Sequence, residues 1–421
     1  MTQPRQRIAI VGAGVSGLTT AWLLSKHHDV QIYEAGHYAG GHTNTRMVNA
    51  GGRDWPVNTG FIVFNDWTYP NFIRLMDQLG VESQVSDMSF SVDCNRTGLQ
   101  YNGTSLNTLF AQRRNLFNLS FLKMIREILR FNKETREDLA NNAISDTETL
   151  GEYLSRHRYS RYFRENYIVP MGAAIWSAPE IVLEQFPIRF FLSFFNNHGM
   201  LSVDDRPTWR VITGGSARYV DRMMETLGPL THLNSPVSRV QRFSDHVTVM
   251  VNGETHTFDQ VVFACHSDQA LAMLADPTDA ETSVLGAIPY QKNDVVLHTD
   301  ASVLPDEPRA WAAWNYYMPE HRTQPTSVTY NMNILQNFTN APETFCVTLN
   351  RSGDIDPDRI IERYEYAHPV FSMQAVAAQQ RYDEIGGTNR THYCGAYWFN
   401  GFHEDGVRSA LRVTAAFGVE L

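Results

Sequence analysis

The sequence has few cysteines, and they are not arranged to bind a metal or to form a redox pair. Its 421 residues include four, and no two of them form a C-x-x-C motif: Cys94, Cys265, Cys346 and Cys394. Isolated cysteines of this kind are typical of proteins in a reducing compartment. We therefore expect reduced thiols, a cytoplasmic location and no metal site.

Long hydrophobic runs and an excess of positive charge are also absent. No run of about 20 apolar residues predicts a transmembrane helix, and the polar first residues do not resemble a secretory signal. The net charge of −10 argues against a general role in binding nucleic acid. The motifs H-E-x-x-H, G-x-S-x-G and G-x-x-x-x-G-K-[ST] do not occur, which argues against metal hydrolases, serine hydrolases and P-loop NTPases.

The first 34 residues contain a glycine motif between two apolar runs of strand character. Gly12, Gly14 and Gly17 form the pattern G-x-G-x-x-G around Ser16, a segment of helical period follows, and Glu34 ends the second run. In such a βαβ unit the glycines allow a tight turn, close approach of the backbone to a pyrophosphate, and close packing of helix on strand. The acid accepts hydrogen bonds from a ribose 2′-hydroxyl and disfavours a 2′-phosphate. The unit therefore predicts a dinucleotide site that does not take NADP.

A second glycine turn follows six residues later, and its backbone must pass close to another group. This turn reads Gly40-Gly41-His42-Thr43. Residues 57–64, which include Thr59 and Gly60, are predicted as one strand, and residues 71–79 as a helix that stops at Gly80.

The βαβ unit, its acid and the Gly-Gly turn together resemble the start of the flavin amine oxidoreductase superfamily, which includes monoamine oxidases, protoporphyrinogen oxidases and phytoene desaturases. In that superfamily the second glycine pair approaches the flavin diphosphate and ring, and an arginine usually follows it. Here His42 stands at that position. The Gly-Gly-His-Thr form, with Asn58-Thr59-Gly60-Phe61 after it, more closely resembles bacterial FAD-binding proteins associated with cyclopropane-fatty-acid-synthase-like methyltransferases. Some of these are implicated in desaturating methyl-branched acyl chains on the way to furan fatty acids.

The resemblance implies an α/β fold, with a discontinuous Rossmann-like FAD-binding domain and an inserted α+β substrate domain built on a mixed sheet. Short apolar runs after residue 230 resemble the returning part of the FAD domain, where the residue matching Val237 contacts the adenine through its backbone. We expect the FAD-binding domain to comprise 1–79, 206–274 and 389–421, and the substrate domain 80–205 and 275–388.

The C-terminal segment resembles the strand, turn and helix that close the superfamily's flavin site. There the helix N-terminus faces the flavin and stabilises negative charge on the reduced ring, as the helix dipole also predicts. Residues corresponding to Gly401 and Phe402 lie along the ring. Those that approach its ribityl and pyrimidine side correspond to Glu404, Asp405, Gly406 and Val407.

Two departures from the superfamily weaken an interpretation as an amine oxidase. Members of the monoamine oxidase type carry a lysine that holds a water near the flavin, and the matching residue here is Val295, with Lys292 three residues earlier. One tyrosine of their aromatic cage is replaced by Phe402. Three histidines are the candidate bases or flavin-tuning groups: His42, His298 and His403.

The segment 109–133 carries six basic residues against one acid, interleaved with apolar residues. This pattern is typical of a helix that lies on a membrane surface, and equally of a helix whose apolar face belongs to the core. Peripheral contact with the inner face of the membrane is therefore one of two open interpretations.

The leading hypothesis is an FAD-dependent oxidoreductase that acts as a desaturase or dehydrogenase on a lipid acyl chain. One alternative is a flavin amine or amino-acid oxidase, and another is a non-catalytic flavin-binding accessory protein of a lipid methyltransferase. No second G-x-G-x-x-G is present, which argues against a reductase with its own NADH domain.

Overall fold

A computed structural model describes residues 4–320 and 327–421. Its strands are, in chain order, β1 (Arg7–Val11), β2 (Asp29–Tyr33), β3 (Thr45–Ala50), β4 (Arg53–Asn58), β5 (Val63–Asn65), β6 (Ser83–Val85), β7 (Phe90–Cys94), β8 (Leu99–Asn102), β9 (Trp209–Ile212), β10 (Thr231–His232), β11 (Val237–Arg242), β12 (Val247–Val251), β13 (Glu254–Phe258), β14 (Gln260–Phe263), β15 (Tyr290–His298), β16 (Trp314–Met318), β17 (Ser327–Asn331), β18 (Cys346–Leu349), β19 (Ile360–Pro369) and β20 (Thr391–Tyr393).

The α-helices are α1 (Val15–Leu24), α2 (Pro70–Leu79), α3 (Leu106–Leu109), α4 (Leu119–Ala140), α5 (Leu150–Arg156), α6 (Arg161–Phe163), α7 (Val169–Trp176), α8 (Glu180–Leu183), α9 (Ile188–Asn197), α10 (Ala217–Leu227), α11 (Ser267–Met273), α12 (Asp279–Leu285), α13 (Met332–Leu335), α14 (Met373–Gln379) and α15 (His403–Ala416). In the described part of the chain, no helix combines the length and the apolar character needed to cross a bilayer.

A five-stranded parallel sheet carries the glycine motif. Its strand order is β10-β2-β1-β14-β20, and β1 lies at the centre, paired with β2 and β14. Ile10 of β1 is fully buried between Ile32 and Val262 on the neighbouring strands. An apolar run enclosed in this way is typical of a parallel sheet covered on both faces. The turn that follows β1 therefore opens at the carboxyl edge of the sheet, where ligands bind in open α/β folds.

A second, mixed sheet has seven strands in the order β19-β15-β18-β17-β16-β7-β8. Only the pair of β16 with β7 is parallel, and the other neighbours run antiparallel. Seven helices, α3 to α9, follow β8 before the chain returns to β9. The predicted α/β class with a mixed sheet is confirmed, whereas the exact domain boundaries stay a prediction.

Local signals predicted several elements correctly and two incorrectly. Helix α2 ends at Gly80, whose φ of 64° is left-handed, as expected for a glycine stop. The strand expected over 57–64 is instead divided between β4 and β5, because the chain turns at Gly60 and the N–H of Phe61 donates to the His42 carbonyl at 2.8 Å. The helix expected within 109–133 begins only at Leu119, where the Asn118 side chain accepts two N–H groups of its first turn.

Candidate functional site

The turn between β1 and α1 requires glycine at two positions and leaves open space at a third. Gly12 has a φ of +105°, and a Cβ there would lie 2.9 Å from the Ala264 carbonyl oxygen. A Cβ on Gly17 would lie 2.0 Å from the carbonyl oxygen of Gly12, so only glycine lets α1 pack this close to the turn. A Cβ on Gly14 would meet no atom within 4 Å. The open position is the one at which the motif predicts a pyrophosphate.

Glu34 is fixed at the end of β2 by two backbone groups. Its Oε2 accepts the N–H of Ala13 at 2.8 Å and its Oε1 accepts the N–H of Gly36 at 2.7 Å. Each carboxylate oxygen keeps a further lone pair for a hydroxyl donor. The Ser235 N–H donates to the Glu34 carbonyl at 2.8 Å, which brings the segment that leads to Val237 beside the acid.

The second glycine turn lies directly against the first. The Gly40 N–H donates to the Ala13 carbonyl at 2.8 Å, and a Cβ on Gly41 would lie 3.2 Å from the Cα of Gly14. Because the two backbones are in contact, a dinucleotide at Gly14 would also meet the second turn, as the family resemblance implies.

The N-terminus of α15 lies beside the N-terminus of α1. A Cβ on Gly406 would come within 2.6 Å of Val15 Cγ1 and 3.1 Å of Ser16 Oγ, so the two helices touch through a glycine. The first N–H groups of a helix have no partner within it, and they carry the positive end of its dipole. Two such ends at one place favour a group with negative charge.

The acidic side chains at the start of this helix accept hydrogen bonds from nearby N–H groups of the protein. Glu404 accepts the Phe72 N–H at 2.8 Å and the Asn71 side chain, and so caps α2. Asp405 accepts the N–H groups of Phe402 and Asn400 at 3.0 and 3.2 Å. Val407 is fully buried in the core. The predicted contact of these residues with a cofactor stays a prediction.

His403, at the start of α15, is held by three neighbours. Its Nε2 lies 2.8 Å from Thr43 Oγ1 and 3.2 Å from the Tyr219 hydroxyl, and its ring stacks on Phe61 at 3.5 Å. Burial lowers the pKa of His403 to about 3. The contact with Thr43 links the second glycine turn to the start of α15, and the role of His403 as a base or flavin-tuning group stays a prediction.

His42 has the opposite character, because its Nε2 is buried and has no hydrogen-bond partner. Its ring centroid lies 4.8 Å from that of Tyr366, 5.4 Å from His368 and 6.5 Å from His266. Burial, and then its histidine neighbours, hold the pKa of His42 well below 6.5. A bound cofactor or substrate could supply the hydrogen bond that this nitrogen lacks.

Sequence patterns did not identify several residues around His42 and Thr59. Tyr366 accepts from the Asn44 side chain at 3.1 Å and lies 3.2 Å from Thr59 Oγ1. Burial lowers the pKa of His368 to about 4 and also lowers that of His266. These side chains come from β19 and from the start of α11, more than 200 residues beyond the glycine turns, and no local motif marks them.

Five uncharged aromatic side chains lie next to the closing turn. Phe402 stacks on Phe194 at 5.0 Å, and a Cβ on Gly401 would touch the Phe371 ring at 3.2 Å. Phe190 and Trp176 complete the group, with centroid distances of 4.9 Å to Phe371 and to Phe194 respectively. We call these residues the aromatic wall.

His298 does not belong to this site, contrary to its prediction as a base. Its Nδ1 accepts the Asp300 N–H at 3.1 Å, which leaves Nε2 to donate to Thr348 Oγ1 at 2.7 Å. Tyr290, at the other end of β15, stacks on His266 near His42. At about 3.3 Å per residue, His298 lies about 26 Å further along the strand. Both ring nitrogens are bonded within the sheet, so the residue is structural.

No lysine replaces the one expected of an amine oxidase on this strand. Lys292 is exposed and forms an ion pair with Glu365 at 2.8 Å, and Val295 is fully buried.

The buried thiol of Cys394 lies 3.7 Å from Thr20 Oγ1 of α1, and burial raises its pKa to about 12. This position suits a small core residue and not a covalent flavin anchor.

The converging turns define a dinucleotide-binding protein with an α/β fold. The residues of these turns fit FAD. The model of the flavin containing amine oxidoreductase family matches residues 15–343. The chain belongs to this family, which confirms FAD as the cofactor and the predicted class of FAD-dependent oxidoreductases.

Curated relatives include amine oxidase A of Bos taurus, 21% identical over 304 residues. That match covers 69% of this chain and 53% of the relative, so the chain spans about half the length of this relative. Zeta-carotene desaturase of Capsicum annuum is 35% identical over 83 residues, which are 20% of this chain and 13% of the relative.

Solved structures share the whole fold. A CLA-producing fatty acid isomerase from P. acnes has a TM-score of 0.69 at 16% identity, covering 97% of this chain and 98% of the other. Cyclohexylamine oxidase from Brevibacterium oxydans has a TM-score of 0.67 at 15% identity, covering 98% and 99%. At these identities the likeness establishes the fold alone.

Proposed function

We propose that this chain is a desaturase or dehydrogenase that removes two hydrogens from a lipid acyl chain. The observation that carries the proposal is the aromatic wall, which places apolar, uncharged side chains beside the turn that closes the cofactor site. The exposed Lys292 and the buried Val295 support it, because neither can hold a water near the flavin as the lysine of amine oxidases does. FAD, when bound, supplies the hydride acceptor.

Within this proposal, two backbone segments and one side chain bind the cofactor. The turn at Gly14 receives the pyrophosphate, Glu34 accepts a ribose hydroxyl, and the N-terminus of α15 faces the flavin. His42 offers its unpaired Nε2 as a hydrogen-bonding group to the cofactor or to the substrate. Since its lowered pKa keeps the ring neutral near pH 7, His42 is better suited to positioning than to carrying charge.

The aromatic wall orients the substrate and excludes water from the reacting carbons. Rigid aromatic rings contribute a large apolar contact area without a hydrogen bond that an acyl chain would leave unmade. A relative whose name states an apolar substrate, the carotene desaturase, supports this substrate class. The amine oxidase among the curated relatives supports the alternative of an amine substrate.

The methyl-branched acyl chain and a lipid methyltransferase as partner belong to the same proposal, and they rest on the Gly-Gly-His-Thr resemblance. Co-purification of the tagged chain with such a methyltransferase from the native cells tests the partner. Absence of the methyltransferase from the purified complex would remove it while leaving the desaturase proposal intact.

The deciding experiment is anaerobic mixing of the oxidised holoprotein with candidate substrates while flavin absorbance is followed. We expect methyl-branched phospholipid to bleach the flavin and to yield a product two hydrogens lighter by mass spectrometry. Simple amines and amino acids are expected to leave the spectrum unchanged. Bleaching by amines alone would establish the oxidase alternative, and a folded yellow protein that neither class bleaches would favour the accessory role.

A variant of the aromatic wall separates substrate contact from cofactor binding. Phe190→Ala is expected to lower the rate of flavin reduction by lipid while FAD stays bound, because this ring contacts Phe371 and, unlike Phe402, is not among the predicted cofactor contacts. The matched control is Phe243→Ala, at an exposed phenylalanine in another part of the fold. Equal rates for both variants would contradict a role of the wall in substrate binding.

A further inference from the structure

A single surface concentrates exposed apolar side chains. Twelve large hydrophobic residues are exposed in the described part of the chain, and the three most exposed are close neighbours in sequence: Leu106 at 77%, Phe117 at 86% and Leu119 at 81%. Leu116 lies beside them and is also exposed. They occupy α3, the 3₁₀ turn Arg113–Phe117 and the first residue of α4. We call residues 106–126 the tip.

The tip is also positively charged, although the molecule as a whole is negative. Its four cations are exposed: Arg113, Arg114, Lys123 and Arg126. Between Asp93 and Glu127 the sequence contains no acid, and the carboxylate of Glu127 is buried, accepting the Ser160 N–H at 3.0 Å.

Carboxylates elsewhere in the fold do not neutralise these four cations. Within the described residues none of the four has a carboxylate oxygen within 4.0 Å. Glu307 is the acid that faces Arg113, and it is paired with Arg309 at 2.9 Å. Arg113 and Arg114 instead donate to backbone carbonyls of Phe110 and Gly98, which holds them at the surface. Their charge therefore remains available to a partner.

The apolar face of α4 itself is not available. Phe121, Met124 and Phe131 are fully buried in the core that also contains Phe194 and contacts Phe402. The apolar face of α4 therefore belongs to the core, in agreement with the second interpretation of 109–133, whereas peripheral contact with a membrane stays a prediction. What remains exposed is the tip, above the same core that forms the aromatic wall.

We propose that the tip docks the protein on an anionic lipid bilayer. Leu106, Phe117 and Leu119 insert among the acyl chains, and the four cations lie at the level of the phosphates. Charge favours this partner over a dimer formed by two tips, because such a dimer would bring like charges together. A cleft of about 390 Å³ opens at the tip and is lined by Arg114, Phe117 and Tyr162.

The test is co-sedimentation of the holoprotein with vesicles of phosphatidylcholine, with and without phosphatidylglycerol. We expect binding only to the anionic vesicles and weaker binding at higher salt. Lys123→Gln with Arg126→Gln should lower the partition coefficient about fivefold per cation removed, since each basic residue near such a surface contributes about 1 kcal/mol. The matched control is Arg239→Gln with Arg363→Gln, at exposed arginines outside the tip.

Insertion is tested separately with Phe117→Ser and Leu119→Ser, which should reduce binding at every salt concentration, whereas Phe243→Ser should not. Phe117→Trp should show a blue-shifted emission that brominated lipid quenches. No binding by the wild type, or equal binding by tip and control variants, would overturn the proposal. Self-association that Leu119→Ser abolishes, without vesicle binding, would assign the tip to a second copy instead. The vesicle experiments do not depend on flavin reduction, so a negative result would leave the proposed reaction unaffected.

Discussion

At the scale of single residues, the glutamate at the end of β2 illustrates how a short motif acquires a defined geometry. The sequence placed an acid 22 positions after Gly12, and the structure orients its carboxylate with two backbone N–H groups of neighbouring turns. An acid that is already oriented loses little freedom when it receives a ribose hydroxyl.

Glu34→Ala should therefore weaken FAD binding by about 1–3 kcal/mol, the cost of leaving a charged hydrogen-bond site unmade. Titration of the apoprotein with FAD, followed by flavin fluorescence, measures the effect. The exposed Glu225→Ala serves as control. An affinity equal to that of the wild type would show that Glu34 connects the two turns but does not bind FAD.

Asp405 gives a prediction about pH. Burial raises its pKa from 3.8 to about 7, so between these values the folded state keeps a proton that the unfolded chain releases. Because the folded state binds more protons in this interval, the contribution of Asp405 to the free energy of unfolding falls as pH rises from about 4 to about 7. Each unit of raised pKa corresponds to about 1.4 kcal/mol.

Asp405→Asn cannot ionise, and its side-chain oxygen still accepts the same two N–H groups. We expect the variant to gain stability relative to the wild type as pH rises from 5 to 7.5, measured by urea denaturation. Asp205→Asn, at an exposed position, should follow the wild type. Parallel pH profiles for the wild type and Asp405→Asn would contradict the raised pKa.

At the scale of elements, one glycine of the turn between β1 and α1 is required for folding and another for binding the cofactor. A Cβ at position 17 would collide with backbone that cannot move aside, whereas one at position 14 meets no protein atom. Gly17→Ala should therefore reduce the yield of folded protein. Gly14→Ala should leave the stability of the apoprotein within about 1 kcal/mol of the wild type but weaken FAD, because the new methyl group would occupy the path of the pyrophosphate.

Thermal denaturation of the apoprotein and FAD titration of each variant test this pair. The solvent-open Gly353→Ala is the matched control, since a Cβ there also meets no atom within 4 Å. Full FAD affinity in Gly14→Ala would place the pyrophosphate elsewhere.

At the scale of the whole molecule, three segments far apart in sequence meet at one site. The turns at Gly14 and Gly41 and the start of α15 touch one another, so a single FAD would contact all three. A ligand that binds only the folded state adds about 2.7 kcal/mol at a hundredfold excess over its Kd.

We therefore expect yellow protein, FAD released by denaturation, and a melting temperature that rises with FAD concentration. NADP should not produce this rise, since Glu34 disfavours a 2′-phosphate. A colourless protein whose melting temperature does not respond to FAD would contradict the assignment of the cofactor site.

The sequence by itself determined the parts whose physical requirements are local. A left-handed glycine, an apolar run enclosed in a parallel sheet and an acid at fixed spacing are all specified within about 35 residues, and they predicted the nucleotide fold. The family resemblance added the second turn and the closing helix.

Only the tertiary structure decided which distant side chains meet at these turns. It placed His266, His368 and Tyr366 beside His42. His298 lies about 26 Å further along β15, because each residue of a strand adds about 3.3 Å to its length. The tertiary structure also divided the apolar residues of 109–133 between the core and the tip. Helical periodicity could not predict this division, because it identifies the apolar residues but does not show which of them are buried by other elements.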